Sequence, residues 1–232
     1  MNVIAASHTA DKIYRFSGFS STVDSSFAYT NPGGVVWNPN DSNLYFAEFG
    51  GTTKKASGFS STILDSYATP GGSLVYGMDF IGSNVVFVTD ASVTKIYQQS
   101  GFSATVDSSL TIALASFYGV AHDGTNLLSQ SNPAGSAKFR KHDGFSTTIL
   151  DSFITVAVAG LDISWDETNL ISTTNATNPI KQRLHSGFSA TISDSFQMAA
   201  GNTSSLGVDW DGFPSAASAT DHGLILRLSM TF

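Results

Sequence analysis

The chain contains no cysteine, so it has no disulfide framework, thiolate metal site or cysteine nucleophile. Basic residues are also sparse. Only 11 Lys and Arg stand against 18 Asp and Glu, for a formal net charge of −7, and no Lys/Arg cluster is available to neutralise a phosphate backbone. Nucleic acid is therefore not an expected partner. No apolar run approaches the ~18 residues needed to cross a bilayer as a helix, and the opening MNVIAASHTADK lacks the basic and apolar regions of a signal peptide. No membrane partner is expected, and the compartment stays open, with virion and cytoplasm both compatible. Charged residues make up 12% of the chain, about half the usual share, and helix formers are scarce.

Glycine, serine, threonine and asparagine are plentiful, and they recur in order. Gly-Phe-Ser occurs at Gly18, Gly58, Gly101, Gly144 and Gly187, at spacings of 40, 43, 43 and 43 residues. The flanking segments repeat as well: KIYRFSGFSSTVDSSF, TKKASGFSSTILDSY, TKIYQQSGFSATVDSSL, AKFRKHDGFSTTILDSF and IKQRLHSGFSATISDSF. Upstream of each lie an apolar run ending in an aromatic or His (VVW, GMDF, GVAH, DISW, GVDW) and a short segment that in most copies opens on Asn (NLYFAE, NVVFVT, NLLSQS, NLISTT). Each of the four segments has strand length and composition and is bounded by turn residues. In order they are strands a, b, c and d. The Ser/Thr-rich d suits an outer edge in water, and the more apolar a suits the innermost place. A period near 43 residues is that of a β-propeller blade, so the expectation is one all-β domain over 1–232.

The units resemble those of NHL-like β-propellers on Gly119-Val120-Ala121-His122-Asp123-Gly124, Asn126-Leu127-Leu128 and Lys95-Ile96-Tyr97. They are also similar to tandem-repeat proteins of phage and marine metagenomes. The resemblance implies a propeller architecture and a phage-like source, and it transfers no activity. Blade number is less direct. Strand a occurs five times, b six, c six and d five, because the chain starts at b (Asn2 to Ser7) and its last c segment is Leu224 to Leu228. AASHTADKIYRFS near the start matches AASATDHGLILRLS near the end, so in a five-bladed ring both would claim one place. Six blades with incomplete first and last units are therefore preferred, with five blades and a displaced or swapped hairpin as the alternative.

Residues that repeat read as scaffold. Phe19, Phe59, Phe102, Phe145 and Phe188 each follow a turn glycine and are expected to cover the gap between blades. Asp24, Asp65, Asp107, Asp151 and Asp194 are expected to bond nearby backbone. Trp37, Trp165 and Trp210 share a position with Phe80 and His122, which argues for packing there. His142 and His185 share another, just before the c–d turn, and no histidine pair has HxH or HxxxH spacing. There is no G-x-S-x-G, P-loop or H-E-x-x-H motif.

An asymmetric ligand is best served where copies differ. The b–c loops (HTADK, FGGTTK, DASVTK, NPAGSAK, NATNPIK, TDHGL) differ most, and they place Glu48, Asp90, Asn132, Asn175, Asp221 and His222 on one candidate binding face. The leading expectation is a non-enzymatic binding or surface-attachment module for a carbohydrate or host-surface receptor. One alternative is a metal-dependent hydrolase or lactonase with Ca2+ in the axial channel, no other cofactor being expected. The other is a structural assembly protein that exchanges its incomplete terminal blades between chains.

Overall fold

A computed structural model describes residues 2–71, 74–89, 95–112, 117–132, 137–155, 160–174, 180–198 and 205–211. Blade 1 contains β1 (Asn2–Ser7), β2 (Lys12–Ser17) and β3 (Val23–Ala28). Blade 2 contains β4 (Pro32–Asn38), β5 (Asn43–Glu48), β6 (Thr52–Ala56) and β7 (Ile63–Ala68). Blade 3 runs through β8 (Val75–Ile81), β9 (Asn84–Thr89), β10 (Lys95–Gln99) and β11 (Val106–Thr111). Blade 4 comprises β12 (Phe117–His122), β13 (Leu127–Ser131), β14 (Ala137–His142) and β15 (Ile149–Thr155). Blade 5 comprises β16 (Gly160–Trp165), β17 (Leu170–Thr174), β18 (Lys181–His185) and β19 (Ile192–Gln197). The last described strand, β20 (Ser205–Asp211), lies beside β1 and between β16 and β4.

This placement corrects the preferred blade number. The ring has five blades, because β20 supplies the inner strand that blade 1 lacks. The innermost strands then follow one another as β4, β8, β12, β16, β20 and back to β4, and every blade has four strands. A sixth blade would leave β1 without an inner neighbour. Of the two hairpin copies that compete for blade 1, the first occupies it; the strand expected at Leu224 to Leu228 lies outside the described residues.

Burial follows strand order as the composition implied. All five residues of β13 and of β17 are buried, whereas β7 is exposed except at Tyr67. The inner strands meet so closely that at one repeated position a side chain does not fit in four of the five copies. A Cβ on Gly119 would lie 2.9 Å from Ile163 N, and one on Gly207 would lie 2.7 Å from Val35 N. Both neighbours are backbone and cannot swing away, so glycine is required there.

The Gly-Phe-Ser hairpins are built alike. Each glycine has φ between 55° and 63°, and a bulge falls at the same register step of every c–d pairing, as between Lys55 and Ala56 or Leu184 and His185. The Asn that opens strand b accepts the turn glycine's N–H: Gly58 N donates to Asn43 Oδ1 at 3.1 Å and Gly187 N to Asn169 Oδ1 at 3.1 Å. The turn phenylalanines cover the gaps between blades. Phe59 packs edge-on against Phe27, Phe102 against Tyr67, Phe188 against Phe153, and Phe19 against Phe196, with centroids 4.8–5.1 Å apart. Such pairs contribute about 0.5–1.5 kcal/mol beyond their buried area.

Candidate functional site

The face formed by the b–c loops and d–a connections carries a cleft between blades 1 and 2, of about 400 Å3, lined by Asp11, Ala28, Tyr29, Thr30 and Glu48. Three loops are stitched together to make it. Tyr29 N donates to Asp11 O at 2.9 Å and Asn31 N to Asp11 Oδ1 at 2.8 Å, while Phe49 N donates to Asn31 O at 2.8 Å. Asp11 and Asn31 both adopt left-handed backbone, at φ 50° and 52°, a conformation that Asp and Asn tolerate better than most residues. The Asp11 carboxylate and the Asn31 backbone hold the geometry, and a β-branched residue at either position would be strained.

Glu48 organises the cleft wall. Its Oε1 accepts from Tyr29 Oη at 2.5 Å and from Lys54 Nζ at 2.6 Å. Lys54 Nζ also lies 5.2 Å from the centroid of the Tyr29 ring, and Phe46 meets that ring edge-on at 4.5 Å. Burial, and then the bond to Glu48, raises the Tyr29 hydroxyl above its usual range. For Lys54, burial opposes the charge, but the bonds to Glu48 and Tyr29 outweigh it and the ammonium is held above its usual range. The three side chains thus form a neutral phenol, a carboxylate and an ammonium in fixed order. Two of the three do not repeat around the ring: Glu48 corresponds to Ser7, Thr89, Ser131 and Thr174 in the other blades, and Tyr29 to Thr69, Ile112, Thr155 and Met198, whereas the Lys54 position is also basic as Arg140 and Arg183.

Glu48 therefore stands in a cleft. Asn132 lies elsewhere: its side chain clamps Gly160, accepting from Gly160 N at 3.0 Å and donating to Gly160 O at 2.6 Å. Asp90, Asn175, Asp221 and His222 lie outside the described residues. Asp65, Asp151 and Asp194 each accept the next residue's own N–H at 2.7–2.8 Å. The two shared-position histidines form buried pairs, His142 Nε2 with Ser129 Oγ at 2.7 Å and His185 Nε2 with Ser172 Oγ at 2.9 Å. These resemble a nucleophile with its base, but all four side chains are enclosed, so no substrate reaches them and they tie strand b to strand c.

A second polar group, which the repeat pattern did not single out, surrounds the axis. Asp79 of β8, Asp162 of β16 and Asp209 of β20 each accept a backbone N–H from the next inner strand, namely His122 N at 2.6 Å, Val208 N at 2.7 Å and Trp37 N at 2.6 Å. Asp209 Oδ1 also accepts from Ser164 Oγ at 3.2 Å. The signal was an Asp inside an otherwise apolar strand a, as in GMDF, DISW and GVDW. Tyr29, Asp11 and Lys54 gave less warning, because the cleft draws them from separate loops and strands. Among the described residues no three His, Asp or Glu side chains are grouped as a metal ion would require.

The chain is similar to a chain in the crystal structure of a nidogen/laminin complex, at TM-score 0.60 and 12% identity over 90% of this chain and 97% of that one. It is also similar to the Pan2 WD40 domain of Neurospora crassa, at TM-score 0.50 and 12% identity over 73% of this chain and 51% of that one. Both neighbours are β-propellers, and at this identity the likeness is one of fold. No protein-family model and no curated protein matches the chain.

Proposed function

We propose that the protein is a non-enzymatic binding module and that the cleft between blades 1 and 2 receives its ligand. The observation that carries this reading is the Tyr29–Glu48–Lys54 wall beside Asp11. Glu48 and Tyr29 in this cleft differ from their counterparts in the other blades, whereas the Gly-Phe-Ser residues that recur are consumed in turns and blade contacts. The chemistry favours a hydroxyl-rich ligand. Asp11, Thr30 and Glu48 bring acceptors and a hydroxyl into one small cleft, and fixed donors and acceptors of this kind suit sugar hydroxyls. The Tyr29 ring already has Lys54 over it and Phe46 at its edge, so polar contacts, and not stacking on Tyr29, supply recognition. A glycan on a host or particle surface is the ligand class in view, and the likeness to NHL-type and phage repeat proteins belongs to the same proposal.

A glycan array followed by NMR titration of the hits tests it. Binding at millimolar sugar that Glu48→Gln weakens at least tenfold, with shifts at Asp11 and Thr30, supports the reading. A clean array, or hits untouched by the Glu48 substitution, overturns it.

A further inference from the structure

At the repeat position three residues before the aromatic of strand a, four copies carry glycine (Gly34, Gly77, Gly119 and Gly207) and the fifth carries Asp162. Where a Cβ would not fit, one carboxylate has been admitted. It fits because Gly77 leaves it room: a Cβ on Gly77 would fall 2.4 Å from Asp162 Oδ1. That oxygen is enclosed and has no hydrogen-bond partner, although Asp162 is 0% exposed. Two residues further along the strand, the copies carry Val36, Asp79, Ala121, Ser164 and Asp209. Asp79 and Asp209 thus stand near Asp162 at the axis, and the three charges act on one another.

Two of the three carboxylates bear on ring closure. Asp162 Oδ2 receives Val208 N of β20, and Asp209, on β20 itself, receives Trp37 N of β4. The strand that completes blade 1 is therefore held from both sides by buried carboxylates. We propose that Asp162 and Asp209 form a proton-operated latch on ring closure: while the axial carboxyls hold a proton, β20 is fastened between β16 and β4, and although ionisation strengthens each N–H bond to a carboxylate, enclosing the unpaired charges beside one another costs more and loosens the strand.

Among the described residues, no cation faces the cluster to neutralise it. Asp79 faces it from β8, and Asp162 and Ser164 face it from β16. Asp211 adds a further negative charge on β20, and its Oδ2 is held by Arg15 Nε of β2 at 2.8 Å. β1, β4 and β17 contain no titratable side chain, and the His122 ring of β12 accepts from Gly124 N at 3.2 Å. Burial raises Asp79 and Asp162 well above the usual carboxylate range; the backbone N–H groups directed at them oppose the rise, and their neighbours' charges add to it. For Asp209, burial outweighs its hydrogen bonds and pushes it up to about 7. A carboxyl raised in the folded protein favours folding while it is protonated, and that advantage is lost as pH rises from about 4 through 7.

Amide hydrogen exchange tests the latch locally. Between pH 6 and 8.5, protection of Val208 and Trp37, corrected for intrinsic base catalysis, should fall more than ~tenfold relative to the amides of β9. In Asp209→Asn, which keeps an oxygen for Trp37 N, the fall should be no more than about a third as large. Protection that tracks β9 at every pH overturns the proposal. Should Asp209→Asn fail to fold, carboxyl carbon NMR of the wild-type chain decides instead: an aspartate titrating near pH 7 upholds the latch, and all aspartates titrating below pH 5 overturns it.

Discussion

Phe19 and Phe196 meet edge-on, with centroids 4.9 Å apart and planes at 77°, across the seam where the first blade joins the fifth. The same contact recurs within the chain as Phe59 on Phe27, so the seam is sealed by the element that seals other interfaces. Phe19→Ala should then destabilise the protein by about 2 kcal/mol, below the cost of a fully enclosed Phe because the ring is half-buried. Chemical denaturation of Phe19→Ala beside Phe59→Ala checks this, the two losses being expected to agree within about 1 kcal/mol.

Gly119→Ala should cost at least about 1–3 kcal/mol, since the added methyl meets backbone of β16 at 2.9 and 3.0 Å. Gly50→Ala is the control: nothing lies within 4 Å of its Cβ, and a change within about 0.5 kcal/mol is expected. Thermal unfolding of the pair separates crowding at the ring centre from the general effect of losing a glycine.

Asn132→Ala should destabilise by about 1–3 kcal/mol by removing the two-point clamp on Gly160, while leaving affinity in the cleft of blades 1 and 2 unchanged. Glu48→Gln should show the reverse, weakened binding with less than about 1 kcal/mol of stability lost, because its ion pair with Lys54 is partly exposed. Calorimetric titration together with denaturation distinguishes the two roles.

The acid side of the stability profile is expected to depend on His185. Burial, opposed only partly by the bond to Ser189 O, lowers it from 6.5 to about 4. Between those values the unfolded chain takes up a proton that the folded chain refuses, so stability falls as pH drops from about 6.5 towards 4, by up to roughly 3 kcal/mol. This slope has the opposite sign to that of the axial carboxylates. In His185→Gln, which copies Gln99 at the matching position of blade 3, the acid slope should flatten; an unchanged slope between pH 7 and 4.5 assigns it to other groups.

The strand pattern was legible because each strand is set by neighbours within some 43 residues: turn glycine, bulge, Asn at the start of strand b, aromatic at the end of strand a. Blade number was not, because two copies of one hairpin fit one place equally well by local criteria, and the choice rests on β20 meeting β1 across the chain. The five copies of strand a were the better count, since the inner ring needs one per blade. Glu48 could be named from its loop, as repeats differ there. Its companions could not, since Tyr29, Asp11 and Lys54 come together only when blade 1 lies against blade 2. The axial carboxylates were visible as Asp in apolar strands, but the repeat rule hid Asp162, which stands where its counterparts are glycine.

Asn2 and Asp211, bonded in the folded ring, are 209 residues apart. On a ribosome adding ~5–20 residues per second, β1 emerges roughly 10 to 40 seconds before β20, the strand that must cover its inner edge. Val3 and Ala5, fully buried at the end, spend that interval beside an unpaired edge. The β1–β2 hairpin is thus completed only when β20 arrives, and the interval of synthesis between them is when it is most open to pairing with a neighbouring nascent chain.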